Sequence, residues 1–551
     1  MSRLAALGLF ALLAIAHTWP LAGDPAVHSR VDNGDYSLNV WAVDWVARTL
    51  PTNPAHLFDA NIFHPARLTL AYSEPLILQG ALAIPAVWLG APPVLTYNVL
   101  TMAGLALSGW AFALLVYRET GSWPGALVAG SAVAFNAHHL MRLVHIQALH
   151  LELLPLVFLA MDRLLATGRA RYAALLGAAV AVQATASIYL LVFTGGAAAC
   201  AWIARLPEWR GRLRESAMWI ALAGITCAVV LLPVLWPYAE LARTQGLVRG
   251  LGETQACAAT WTDYFFTGSR LHFDAWSYRF KDSSDANFPG LVVAALAVVG
   301  LVSGWRRGPQ ARMWLAVVAG SVLLSALPQM PGFAWLHAHV PALGAIRCYS
   351  RAGQMALVGM GVLAGYGAAA LLGTWGRGGG GTWGRGGVGA KGRALAVVLV
   401  AAVNLEALRA PLWYRDYPGV PAIYNTLRDQ PNAVVIELPF YGRGGFFGNA
   451  GYMINATRHR RPLVNGYSGF APPGFEATAQ MMRAFPREDA LQLLDTLGVT
   501  HVVVHRATAP MQRRRALIDA SPRLRLVAEQ DGIAVYRIVG TEGSDPFVPN
   551  P

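Results

Sequence analysis

Apolar runs long enough to cross a bilayer recur along this chain as far as about position 410. A helix needs about 20 such residues to span a hydrocarbon layer roughly 30 Å thick. Inside that layer every backbone N–H and C=O must be satisfied within the protein, so continuous apolar runs read as transmembrane helices. Composition agrees, with 55% hydrophobic residues and only 13% charged, against roughly 25% charged in soluble domains. An ordinary soluble enzyme is excluded. The formal charge of +13, from 43 Lys+Arg against 30 Asp+Glu, would suggest nucleic acid in a soluble chain. Here the arginines sit in short loops between apolar runs, where they set topology, and no nucleic-acid partner is expected.

The first run, residues 4 to 21, is read as an uncleaved first helix; a cleaved signal peptide is the alternative. A polar loop, 22–75, follows with an acidic balance that suits the non-cytoplasmic side. The run from 75 to 92 is short and interrupted by Pro85 and Pro92, which points to an interfacial or re-entrant helix. Spans are expected at 94–117, 123–137, 147–165, 171–186, 188–204, 215–236, 288–304, 312–328, 352–373 and 393–410, about 11 with the first helix. This count puts Arg3, Arg118, Arg163, Arg169, Arg171, Arg205, Arg210, Arg306, Arg307, Arg377 and Arg393 on one side, the cytoplasm by the positive-inside rule. Treating 76–90 as a span and fusing 171–204 is the competing count, and it moves the arginines at 163–171 outside.

The expected fold is therefore an all-α polytopic membrane bundle over 1–412, with external loops 22–75 and 237–287 and a cytoplasmic glycine-rich loop 373–393. That last loop carries GTWGRGG twice in tandem and has no side chains able to build a core. A phosphate-cradling role for it would need flanking strand and helix, which are missing. From 416 to 541, short apolar runs at 433–438, 500–505 and 533–538 alternate with a helical pattern at 487–497, as in a small α/β domain. An odd number of spans places it outside the cytoplasm, with the N-terminus inside. Cys200 and Cys227 lie in apolar runs, which leaves Cys257 and Cys348 able to meet outside the membrane.

Three polar clusters fall on the outer side. In RVDNGDYSLNVWAVDW, Asp32 and Asp35 occupy a turn before an amphipathic helix carrying Trp41 and Trp45, whose rings suit the headgroup layer. Either acid is a candidate general base or metal ligand, and a solvated turn is the plain alternative. In FNAHHLMRLVHIQALH, helical spacing would put His138 and Arg142 on one face, and Arg142 with His145. The imidazoles could take a divalent metal or a phosphate, with a polar interface cap as the alternative; a divalent ion on His138 and His139 is the one cofactor candidate. In AIRCYSRAGQM, Arg347 and Arg351 are four apart. A helical start would aim both guanidiniums one way, toward a phosphate or a lipid headgroup. Tyr189 falls at a break between two short spans among Gln183, Thr185 and Ser187.

This order of parts resembles the GT-C class of integral membrane glycosyltransferases: one helix, an acidic first loop (VDNGDY), an interfacial helix, a proline-bounded segment (SEPLILQGALAIP), then a bundle and an external C-terminal domain. The strings NIFHP, LAYSEPL, VLTYNVL and HHLMRLVHIQALHLELLPL resemble a bacterial group of such proteins. The resemblance implies a membrane glycosyltransferase of the cytoplasmic membrane that moves a sugar, usually with inversion, from a polyprenyl-phosphate carrier to a glycan, lipid or protein acceptor at the outer face. It makes Asp35 the base, with Asp32 as the alternative, and Arg347 and Arg351 contacts for the carrier phosphate. Arg142, His138, His139, Glu74 of SEPL and Tyr189 complete the candidate substrate contacts. Many members carry a second acid in the next external loop, where this chain has His138 and His139. A lipid-linked glycan transporter and a non-catalytic scaffold of envelope assembly are the competing classes.

Overall fold

A computed structural model describes residues 1–246, 249–344, 346–375 and 389–540. Most of the glycine-rich loop, 376–388, lies outside the described residues, and with it the linker expected there. The chain is mostly helical with few strands. Four described helical segments are long and apolar enough to cross a membrane: Pro93–Thr120, Leu206–Gln245, Gln310–Gln329 and Tyr349–Leu371. Shorter apolar helices include Arg3–Thr18, Ile77–Trp88, Ala170–Ala184, Ile188–Ala204 and Leu291–Gly304. This is the build of a multi-pass membrane protein.

The chain divides into two compact units. The first, Met1–Asp24 with Asn98–Leu235 and Val248–Trp413, is a helical bundle centred on Gly353–Leu371, which is buried along nearly its whole length. Small residues make that burial feasible. A Cβ added to Gly367 would lie 2.0 Å from the carbonyl oxygen of Leu296, and one added to Gly300 would lie 1.9 Å from that of Leu363. The two helices therefore cross backbone to backbone, the close approach that membrane helices use where burial of apolar surface no longer drives association. The Arg3–Thr18 helix packs Ala6, Phe10 and Ala14 into a core with Leu105, Trp123 and Ala126. Ala170–Ala184 and Ile188–Ala204 are separate helices.

The second unit comprises Pro25–Tyr97, Trp236–Leu247 and the chain from Tyr414 onward. Its sheet contains β1 (Val435–Leu438), β2 (His501–His505), β3 (Leu524–Gln530) and β4 (Ile533–Ile538) in the order β1–β2–β4–β3. The β1–β2 pair is parallel and the other two pairs are antiparallel. A parallel pair needs a crossover, supplied by the helices Ala450–His459, Phe475–Met482 and Glu488–Thr496. Val435, Ile436, Leu438 and Val502–Val504 are buried beneath them with Leu491 and Leu494. The helix Gly34–Thr52 packs against Ile77–Trp88 and Ala450–His459, so the first loop and the C-terminal segment belong to one body. Trp41 departs from the headgroup-layer expectation: only 2% of it is exposed, and its indole N–H donates to Asn61 Oδ1 at 3.0 Å.

Candidate functional site

Asp35 lies in the first turn of Gly34–Thr52. The Asn33 side chain caps this helix, accepting from the Asp35 N–H at 2.9 Å and the Tyr36 N–H at 3.3 Å. Capping in this form satisfies helix-end donors and fixes the entry of the chain. The half-buried Asp35 carboxylate accepts at Oδ1 from the Tyr467 hydroxyl at 2.8 Å, which orients it. Asp32, the alternative acid, is exposed and lies 3.5 Å from Arg30 Nε. Glu74 belongs to the same unit, within electrostatic reach of Tyr238, whose hydroxyl donates to the Ser73 carbonyl at 2.7 Å.

The first unit holds the basic cluster. Arg142 donates from Nε to Asp285 Oδ1 at 3.1 Å and from Nη2 to Oδ2 at 2.8 Å, a fork-to-fork pairing. His138 Nδ1 approaches Asp285 Oδ1 at 3.1 Å. Burial pushes the Asp285 carboxyl up, but the guanidinium of Arg142 overrides it and holds the group well below the usual range. Burial lowers His138, and it lowers His145 well below its ordinary value with help from Arg351 and Arg142. Both imidazoles are thereby kept neutral at neutral pH.

Arg351 stacks over the Tyr189 ring at 5.0 Å, and its Nε is buried with no hydrogen-bond partner among the described residues. Arg142, Arg347, Tyr189 and Asp285 lie within its electrostatic reach. Arg347 and Arg249 share Glu253, at 3.6 Å and 3.4 Å. A disulfide joins Cys257, just past the Leu251–Ala256 helix that carries Glu253, to Cys348, next to Arg347. Among the described residues, the guanidiniums of Arg142, Arg249, Arg347 and Arg351 thus gather with two carboxylates, Asp285 and Glu253.

Two helical spacings read from the sequence are not realised. Cys348 is extended and Tyr349–Ala352 is a 3-10 turn, so Arg347 precedes the helix; the disulfide and the turn bring it near Arg351 instead. The helix Ala137–Met141 ends before Arg142, and Asp285 is what unites Arg142 with His138. His139 lies in the core. Its Nδ1–H donates to the Ala134 carbonyl at 2.9 Å, and its Nε2 accepts from the Gln354 amide at 2.7 Å. With both nitrogens so engaged it does not fit a metal ligand, and no three His, Cys, Asp or Glu among the described residues are grouped as a metal would require. The candidate residues of one unit, Arg142, Arg347, Arg351, His138 and Tyr189, are brought together; Asp35, Asp32 and Glu74 belong to the other. Sequence reasoning missed Asp285, Arg249 and Tyr467 as site residues.

No protein-family model and no curated protein matches the chain. In fold it is similar to the cryo-EM structure of the arabinofuranosyltransferase AftD from Mycobacteria, with TM-score 0.60 and 15% identity over 98% of this chain and 40% of that one. A mutant of the same enzyme gives 0.59 and 16%, over 98% and 42%. The crystal structure of ArnT from Cupriavidus metallidurans bound to undecaprenyl phosphate gives 0.49 and 11%, over 98% of each chain. The chain therefore spans about 40% of the AftD length. The GT-C resemblance carried by the sequence strings stands at the level of fold.

Proposed function

We propose that this chain is a membrane glycosyltransferase that moves a sugar from a polyprenyl-phosphate carrier to an acceptor hydroxyl at the outer face of the cytoplasmic membrane. The observation that carries the reading is Arg351 itself, stacked on Tyr189, whose buried Nε has no hydrogen-bond partner among the described residues. A desolvated guanidinium is costly unless an anion completes it. A carrier phosphate has the charge to do so, and two of its oxygens can be held at once by the planar fork of an arginine. Tyr189 packs one face of Arg351, and Asp285 fixes Arg142 beside it. The Cys257–Cys348 bridge favours an oxidising compartment, which agrees with an outer-face site. The fold likeness to an arabinofuranosyltransferase supports the reaction type.

In the proposed reaction Asp35 accepts the proton of the acceptor hydroxyl, whose oxygen bonds to the anomeric carbon. The bond from that carbon to the carrier phosphate oxygen breaks, and polyprenyl phosphate leaves with its charge matched by Arg351 and Arg142. Attack opposite the leaving group inverts the anomeric configuration. General-base assistance of this kind is worth about 10²- to 10⁴-fold in rate. The test is complementation of a deletion strain followed by analysis of its glycolipids and glycans. The expected result is that one species disappears and returns with the wild-type chain but not with Asp35→Asn present in the membrane at equal amount. Full restoration by Asp35→Asn removes the proposed base.

A further inference from the structure

Away from Asp35, the far half of the Gly34–Thr52 helix lines a cavity of about 340 Å³ in the second unit. Its walls are indole and guanidinium: Trp41, Trp45 and Trp88 with Arg48 and Arg460, and Asp44 behind them. Trp41 and Trp45 stack with ring centres 6.4 Å apart. The volume falls within the usual range for small-molecule sites, about 300–1,000 Å³.

The lining offers no unpaired carboxylate. Both oxygens of Asp44 are taken by Arg48, at 2.9 Å to Nε and 3.0 Å to Nη2. Asn61 spends its oxygen on the Trp41 N–H and its amide on the Arg461 carbonyl. The Trp45 N–H is spent on the Leu57 carbonyl at 2.8 Å. Arg48 Nη1, outside the pair with Asp44, and the exposed Arg460 supply the charged donors that remain, beside the hydroxyls of Thr49, Thr52 and Thr457. One carboxylate between two guanidiniums leaves one positive charge. Burial raises the Asp44 carboxyl while Arg48 pulls it back, and protonation of Asp44 would only enlarge the positive excess. A ligand that fits a lining with a positive excess is an oxyanion.

Two further observations point to a ligand carried by lipid. Arg460 is held at φ 58°, ψ 19°, just past the end of Ala450–His459, in the left-handed region that costs an arginine of order 1 kcal/mol. Glycine would end the helix there without strain; the arginine keeps a side chain in the cavity lining. Beside it, Trp88 is 63% exposed and the adjoining Leu89 is 89% exposed, at the end of the short apolar helix Ile77–Trp88. An apolar surface capped by tryptophan is what a lipid tail and its headgroup boundary would meet.

We propose that this cleft binds the phosphate of an anionic membrane phospholipid, with Arg460 and Arg48 on the phosphate and the indoles flanking the headgroup. It is a second phosphate site, built in the other unit from that of Arg351, and it does not depend on the transferase reading.

The test is native mass spectrometry of the full-length protein purified in detergent, with phosphatidylglycerol, phosphatidylcholine and polyprenyl phosphate added in turn. Arg460→Gly is the informative variant, because glycine relieves the left-handed strain and should leave folding intact; Trp45→Ala is the second. We expect phosphatidylglycerol to be retained over phosphatidylcholine and to raise the melting temperature of the wild type. Retention should fall about tenfold in each variant, the loss of one charge-assisted or stacking contact, while Asp35→Asn retains lipid like the wild type. Equal retention of both phospholipids, or wild-type retention by both variants, overturns the site. Polyprenyl phosphate displacing phosphatidylglycerol in an Arg460-dependent way assigns the cleft to the carrier and overturns the phospholipid assignment.

Discussion

Arg142 and Asp285, 143 positions apart, form a two-bond pair in which the carboxylate is almost wholly buried. Removing one member of such a pair leaves the other charge uncompensated, at a cost of about 3–5 kcal/mol. Asp285→Ala is therefore expected to lower the melting temperature of the detergent-purified protein well below that of a surface Asp→Ala control. An unchanged melting temperature would show that the pair contributes nothing to the fold.

The same pair sets a pH dependence. Asp285 titrates well below its ordinary value in the folded protein, so the unfolded chain binds its proton first as pH falls. Its contribution is present above the unfolded value near 3.9 and is lost progressively below it. Melting temperature measured from pH 7 downward is expected to fall from about pH 4, and Asp285→Asn should flatten that limb. A limb of equal steepness in the variant assigns acid sensitivity to other carboxylates.

Arg351 and Arg347 should differ. Arg351 is stacked on Tyr189 with its Nε buried, whereas nearly half of the Arg347 side chain is exposed. A charge-assisted hydrogen bond is worth about 1.5–3 kcal/mol, so Arg351→Ala should raise the KM for the carrier-linked sugar by roughly ten- to a hundredfold, with a smaller rise for Arg347→Ala. Arg351→Lys should recover only part of the loss, since an ammonium neither stacks flat on Tyr189 nor presents a fork. Full activity with lysine would mean that a point charge is all the site needs.

What the sequence disclosed and what it hid divide along physical lines. Long apolar runs and the first-loop acid are local signals, and the helix start at Asp35 follows from Asn33 and the turn around it. Arg347 and Arg351 were legible as a misplaced pair of cations, but the reason they converge was not, because it depends on a 3-10 turn and a disulfide. Asp285 sits in a polar stretch, SSDANFP, with nothing to distinguish it from a solvated acid until Arg142 arrives from another segment. Tyr467 likewise reaches Asp35 across 432 positions, a separation no periodicity can reveal. Helical spacing failed at His138 and Arg142 because a five-residue helix ends between them.

Tyr467 is expected to act as a positioning residue for Asp35. Its hydroxyl holds Oδ1 at 2.8 Å, and its ring is close enough to Gly34 that a Cβ there would lie 3.2 Å from Cε1 and 3.0 Å from Phe447 Cβ. Tyr467→Phe removes the bond and keeps the ring, so kcat should fall about tenfold with KM unchanged. Gly34→Ala should produce a similar loss through displacement of the ring. A normal kcat in Tyr467→Phe would leave the tyrosine a packing residue only.

The Cys257–Cys348 bridge closes a loop of 91 residues that includes Asp263, Asp285 and the helices to Val340. In the chain-entropy account, a loop of that length adds about 2–5 kcal/mol by constraining the unfolded state. Its position gives it a second role, because it ties the segment bearing Arg249 and Glu253 to the one bearing Arg347. Stability and phosphate affinity should therefore fall together in Cys257→Ser/Cys348→Ser: a lower melting temperature, and a several-fold higher KM for the carrier with kcat little changed. Reduction of the wild type with dithiothreitol should reproduce both effects and leave the double variant unaffected. Loss of stability without any change in KM would separate the two and show that the basic cluster is organised by Asp285 and Tyr189 alone.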